Sequence, residues 1–219
     1  MSAIPAFHLD PESRAEGLTP VIGVNFRAVA FPLIVRPARR LSDDELLELC
    51  GSNDGVRIER TAAGDLLMMT PVGGRTGNQE GYLFRELDLW VEREGQGIAF
   101  SSNTGFSLSD GSMRAPDAAW LSTQKWERLD LEQRRKYIPF CPEFVIELRS
   151  PTDRVPDMDS RMRDWLAVGV ELGWMIDPIR KLAMVYRPDR EPETLLRPEY
   201  LEGEGPVAGF RLRMQRLWE

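Results

Sequence analysis

Two strand-length apolar runs in the middle of the chain each carry one carboxylate. Asp117 heads Ala118-Ala119-Trp120-Leu121, and Glu147 sits inside Phe144-Val145-Ile146-Glu147-Leu148. Both runs are bounded by Pro or Ser, the punctuation of a buried strand. In the second, alternation sets Phe144, Ile146 and Leu148 on one face and Val145, Glu147 and Arg149 on the other, so Glu147 and Arg149 point the same way. A helical period runs from about Gly77 to Arg93. Its apolar arc of Leu83, Phe84, Leu87, Trp90 and Val91 contains Glu80, and Thr76 with Gln79 has the spacing of a capping box. Another helix is predicted from Asp157 to about Val168, with Gly169 as its stop. Met158, Met162, Trp165 and Leu166 form its inner face and Arg161 lies at the edge, able to snorkel outward or reach inward.

The remaining pattern supplies shorter elements. Ser42-Asp43-Asp44-Glu45 is a capping box opening a short helix that Gly51 stops. Val56 to Thr61 and Asp65 to Met69 predict a hairpin around Ala63-Gly64, and Ile98–Ser101 with Thr104–Leu108 a second hairpin or meander. Gln124–Leu129 and Leu131–Tyr137 have the length of surface helices. Leu172–Ile176 and Leu182–Arg187 flank an Asp177-Pro178 turn, and Phe210 to Met214 alternates like an edge strand. Residues 1–40 divide as an N-terminal extension, of low order to residue 30 and then an edge strand or arm. Residues 41–219 form one α/β domain.

Composition narrows the chemistry. The 42% apolar and 29% charged content suits a globular protein, and no run of about 18 apolar residues exists to span a membrane. Met1 to Leu9 lacks the features of a signal peptide, so a cytoplasmic location is expected. Cys50 and Cys141 are far apart and in no metal spacing. The single histidine, His8, lies in the N-terminal segment, which argues against His-based triads and imidazole metal sites. A net charge of −7 argues against a general nucleic-acid coat, though a local arginine-lined groove is compatible with it. Only Lys125, Lys136 and Lys181 among the 28 basic residues are lysine.

What remains is chemistry by carboxylates, arginines, hydroxyls and bound ions. A carboxylate in a buried strand is costly unless it is paired, hydrogen-bonded or bound to a metal, so two on separate strands suggest a hard-cation site. The glycine-rich stretch Gly73 to Glu80 lacks the Gly-Lys-Ser/Thr of a phosphate loop. It is either a plain entry to the helix or a backbone contact to phosphate. Arg75 within it and Arg149 beside Glu147 are the candidate phosphate contacts.

Pro116-Asp117, Glu147-Leu148-Arg149-Ser150-Pro151-Thr152-Asp153, Trp165-Leu166-Ala167-Val168-Gly169-Val170 and Gly173-Trp174-Met175-Ile176-Asp177-Pro178 occur in that order. Together they resemble the Uma-type family of restriction-endonuclease-like proteins, a branch of the PD-(D/E)XK nuclease superfamily, from roughly Leu41 to the C-terminus. The resemblance implies a restriction-endonuclease-like core: a mixed β-sheet flanked by helices, with extra β-hairpins. It implies phosphodiester hydrolysis with Mg²⁺ or Mn²⁺ held by Asp117 and Glu147, and Glu80 as a third ligand or water positioner. The lysine that the family usually supplies from the following helix is here Arg161, in Arg161-Met162-Arg163-Asp164-Trp165-Leu166-Ala167-Val168-Gly169. An arginine cannot serve as a base but can clamp phosphate charge. Either Arg161 substitutes electrostatically, as a transition-state clamp, or activity is slow or lost. The leading expectation is a metal-dependent DNA endonuclease with DNA as substrate, no membrane partner and a homodimeric assembly. The alternatives are a degenerate nuclease fold that binds nucleic acid or protein, and hydrolysis of another phosphate ester.

Overall fold

The computed structural model describes residues 32–53 and 55–219. The expectations for His8, for the start of the chain and for low order up to residue 30 lie outside the described residues. In chain order the elements are β1 (Leu33–Val35), α1 (Asp43–Gly51), β2 (Arg57–Arg60), β3 (Leu66–Met69), α2 (Gly74–Glu94) and β4 (Ile98–Ser101). There follow β5 (Phe106–Ser107), β6 (Met113–Arg114), β7 (Ala118–Leu121), α3 (Thr123–Glu127), β8 (Phe144–Leu148) and α4 (Val155–Ala167). The chain ends with β9 (Leu172–Asp177), β10 (Leu182–Tyr186), β11 (Glu193–Leu196), β12 (Tyr200–Glu202) and β13 (Arg211–Arg213). No described helix is long and apolar enough to cross a membrane.

Two sheets organise these elements. The larger runs β11-β10-β9-β8-β7-β4 and is mixed, because β8 and β9 are parallel while the other neighbours are antiparallel. The smaller, β1-β3-β2-β6-β5, is antiparallel throughout. Alternation along β8 sorts its side chains as the pattern predicts. Phe144, Ile146 and Leu148 join Leu83, Leu87 and Trp90 of α2 and Phe210 and Leu212 of the β12–β13 ribbon in one core. Val145 faces the opposite core, with Met158, Met162 and Trp165 of α4. A third core under the small sheet gathers Leu46 and Leu49 of α1 with Ile58, Leu66 and Met68. Strand β8 is covered on both faces, which is why it is apolar apart from Glu147.

Two local expectations are corrected. The chain from Ile98 to Leu108 is not a hairpin: β4 pairs with β7 in the large sheet, whereas β5 pairs with β6 in the small one. Phe106 also bridges Ile138, and Gly105 leaves the space that Tyr137 and Met113 fill. The Thr76–Gln79 capping box does not form, because α2 begins earlier, with Gly73 as its N-cap. Thr76 is buried inside the helix instead, and Gln79 Nε2 donates to the Leu217 carbonyl at 3.0 Å, tying the C-terminal segment to α2. Arg149 lies just beyond the end of β8 and bonds Asp177. By contrast, the Ser42–Glu45 capping box of α1 is present with both of its hydrogen bonds.

Candidate active site

The two carboxylates meet where the chain crosses from one sheet to the other. After β6, the linker Ala115-Pro116-Asp117 carries the backbone out of the small sheet and into β7. Strands β7 and β8 pair in the register Ala118↔Ile146, and extending it by one residue sets Asp117 opposite Glu147. Directly opposed residues on antiparallel strands share a face, here the face covered by α4. Asp117 Oδ2 accepts the Leu148 backbone N–H at 2.6 Å, which fixes that oxygen at the end of the ladder. Glu147 Oε1 accepts from Trp165 Nε1 and from Arg161 Nε, both at 2.7 Å and both from α4. Among the described residues nothing donates a hydrogen bond to Asp117 Oδ1 or Glu147 Oε2.

Arg161 turns inward. Besides Glu147 it binds Glu59 of β2 through both arms of its fork, Nη1 to Oε2 at 2.7 Å and Nη2 to Oε1 at 3.0 Å, and it reaches the Ala115 carbonyl at 3.1 Å. Glu59 also accepts the Ala115 N–H at 3.1 Å, so the crossover linker is clasped on both its backbone groups. A second arginine, Arg57, stands two residues before Glu59 on the same side of β2. Its Nη2 contacts the Ala115 carbonyl and Glu59, and its Nη1 lies 3.8 Å from Asp117 Oδ1.

Burial and charge divide these carboxylates into two kinds. Burial drives the proton affinity of Asp117 upward, and the charge on Glu80 adds to it against the pull of Arg57. Burial likewise raises Glu147, with the charge of Asp117 reinforcing it and Arg161 opposing. Burial raises half-buried Glu80 too. Glu59 goes the other way: burial pushes it up, but Arg161 and Arg57 outweigh that and hold it at about 2. Four carboxylates therefore face two guanidiniums, an excess of two negative charges when all are ionised.

A family model described as "Uma2: Putative restriction endonuclease" matches residues 43–215, most of the chain and every element of this site. The chain belongs to the Uma2 family. No curated protein matches it. Among solved structures it is similar to one titled as a putative nuclease belonging to DUF820 from Anabaena variabilis, with a TM-score of 0.64 and 22% identity. That alignment covers 81% of this chain and 97% of the other. At this identity the likeness is one of fold, and the mixed sheet flanked by helices is the architecture that the resemblance implied.

In this Uma2-family chain no lysine joins the carboxylates among the described residues. Lys125 is held by the Cys141 carbonyl and Glu143, Lys136 by Asp44, and Lys181 lies in the β9–β10 turn. Arg149 is committed to fully buried Asp177 and to the Asp153 carbonyl. Arg75 is exposed on the first turn of α2 and makes no ion pair with a described residue. Glu80 stands within electrostatic range of Asp117 and Glu147. No group of three or more His, Cys, Asp or Glu side chains able to hold a metal gathers among the described residues.

The donor set nevertheless fits a hard divalent cation. Magnesium is typically bound by one or two carboxylates, with water and substrate phosphate oxygens completing the shell. Two buried, mutually repelling carboxylates, each with an uncommitted oxygen, match that requirement. Glu59 and Arg57 are the residues that sequence reasoning missed. Their strand reads Arg57-Ile58-Glu59-Arg60, three charges in four positions, which resembles a solvent-washed hairpin. A charged alternation on a strand that must cover a core is the one signal the sequence held.

Proposed function

We propose that the chain is a nuclease that hydrolyses phosphodiester bonds in DNA with a divalent cation, Mg²⁺ or Mn²⁺, held between Asp117 and Glu147. The observation that carries this reading is the pair of buried opposed carboxylates, each with a free oxygen and a raised proton affinity. Paired like charges that two guanidiniums do not fully neutralise are costly at neutral pH, and perturbed titration in a cluster is what a functional site shows. When bound, the cation supplies Lewis acidity toward the phosphate and a more acidic water. Leu148 N–H orients Asp117, while Trp165 and Arg161 orient Glu147, so the two oxygens offered to the cation are fixed before it arrives. Glu80, half-buried in the second turn of α2 with a raised affinity for protons, is suited to hold or accept a proton from a water at the site. The family description and the nuclease-like fold support the same reaction class.

Nicking of supercoiled plasmid in Mg²⁺ or Mn²⁺ tests this. Wild type is expected to cut, and Asp117→Ala to lose both cutting and calorimetric metal binding. A second reading, a degenerate fold that binds nucleic acid or protein without cutting, draws on Arg161, whose fork is consumed by Glu59 and Glu147 where the family usually has a lysine. An inert wild type together with a cutting Arg161→Lys would favour that reading. Inertness in every form without metal binding would sink the metal-nuclease proposal.

A further inference from the structure

The site contains two arginines with different commitments. A guanidinium has five N–H donors in a fixed fork. Arg161 commits Nε to Glu147, Nη1 to Glu59, and Nη2 to both Glu59 and the Ala115 carbonyl. All three of its nitrogens are thus used in holding protein groups together. Arg57 commits only Nη2, to the Ala115 carbonyl and Glu59. Its Nη1 lies 3.8 Å from Asp117 Oδ1, an ion pair too long for a hydrogen bond. Its Nε is buried and has no hydrogen-bond partner. Buried donors without partners are uncommon and call for an acceptor that arrives with a ligand or with solvent.

Position points the same way. The Arg57 side chain is 27% exposed, more open than Arg161 at 20% and far more than Glu59 at 4%. It sits beside Asp117, the carboxylate whose free oxygen faces it. A phosphate approaching a cation on Asp117 and Glu147 meets in Arg57 the more exposed guanidinium, and the one with donors to spare.

Resting on the nuclease reading above, we infer that Arg57, and not Arg161, is the guanidinium that contacts the substrate phosphate. Arg161 is in this assignment a positioning residue, and Glu59 locks it to Glu147. Glu59 also takes a share of Arg57 Nη2, so it sets where both arginines stand. The chain thereby keeps a fully committed guanidinium at position 161 and places the phosphate contact on β2, on the other sheet. No bond-making role is assigned to Arg57; its part is to balance charge on the non-bridging phosphate oxygens.

The test separates this assignment from the nuclease reading. Binding of a short DNA duplex is measured as a function of salt in an Asp117→Asn parent, which removes cutting, and in the same parent carrying Arg57→Ala or Arg161→Gln. Loss of one phosphate contact lowers the slope of log affinity against log salt by about one. The expected result is that Arg57→Ala lowers the slope by about one and weakens binding about tenfold, while Arg161→Gln leaves the slope unchanged. In otherwise wild-type protein, Arg57→Ala is expected to lose cleavage while retaining calorimetric metal binding, with partial rescue by Arg57→Lys or by added guanidinium ion. A parent that binds DNA with the same slope after Arg57→Ala overturns the assignment alone. Failure of the parent to bind DNA at any salt overturns the DNA-nuclease reading, and the Arg57 assignment with it. Thermal melting of each variant identifies a merely unfolded protein, and Arg57→Gln, which keeps much of the side chain's bulk without its charge, replaces Arg57→Ala where that variant melts early.

Discussion

Glu59 is a buried carboxylate that stays ionised because two guanidiniums surround it, and the consequences of removing it are specific. Its side chain is 4% exposed and it anchors the fork of Arg161 through two hydrogen bonds. Breaking one partner of a buried ion pair leaves an uncompensated charge and costs about 3–5 kcal/mol. Glu59→Ala is therefore expected to destabilise the fold by about that amount in urea titration. Glu59→Gln, which keeps the shape and one acceptor, should lose less. The same variants should weaken metal binding at Glu147 although Glu59 is not offered as a ligand, since Arg161 would then be free to rotate away from the Glu147 carboxylate. A Glu59→Ala protein as stable as wild type would show that Glu147 and Arg57's neighbours compensate the site without Glu59, and that the Glu59 bridge carries no net stability.

Elements were far more legible than contacts. The strand around Glu147, the helix carrying Arg161 and the hairpin of β9 and β10 follow from periodicity, because each has a core on one or both sides that enforces its pattern. The pairing of β4 and β5 was not legible: their separation into two sheets depends on Phe106 meeting Ile138, a contact between segments far apart in sequence. The Thr76–Gln79 spacing misled for a related reason, since Gln79 gains a tertiary partner in Leu217 that a local cap cannot compete with. Asp117, Glu147 and Glu80 stood out as polar residues in apolar surroundings, whereas Glu59 and Arg57 stood among other charges and their burial comes from the sheet junction. How α4 reaches that junction is itself testable. On β9, Gly173 faces Met162 of α4, and a Cβ there would overlap the Met162 methyl and touch Val145 at 3.6 Å. The flexible Met162 terminus yields, so Gly173→Ala is expected to cost about 1–3 kcal/mol of overpacking rather than unfold the protein. By displacing Met162 it should also disturb the seat of its neighbour Arg161 against Glu147, seen as weaker metal binding. Full retention of both stability and metal affinity would mean that the α4–β9 spacing does not set the site.

For the whole molecule, the balance of four carboxylates against two guanidiniums makes stability depend on pH and on the cation in opposite directions. Asp117, Glu147 and Glu80 bind protons more tightly in the folded protein than when unfolded. A raised folded value stabilises the fold fully below the ordinary carboxylate range, and that contribution is lost as pH rises through the raised values. Glu59, held at about 2, has the opposite sign: its contribution is present above the ordinary range and is lost as pH falls toward 2. The metal-free protein is accordingly expected to be most stable at mildly acidic pH, to weaken under strong acid as Glu59 protonates, and to weaken again toward neutrality as the Asp117–Glu147 pair ionises. A divalent cation binds only the ionised pair, so it should restore stability mainly on the neutral side, by about 2.7 kcal/mol at a hundredfold excess over its dissociation constant. Asp117→Asn removes one of the repelling charges and should therefore raise the stability of the metal-free protein near neutrality while abolishing the response to Mg²⁺. Urea midpoints measured across pH, with chelator and with Mg²⁺, read all of these effects from the same preparation. A flat profile between mildly acidic and neutral pH, unchanged by Mg²⁺ and identical in Asp117→Asn, would mean that the pair does not ionise against a cost in the folded state, and the electrostatic basis for a cation site would be gone.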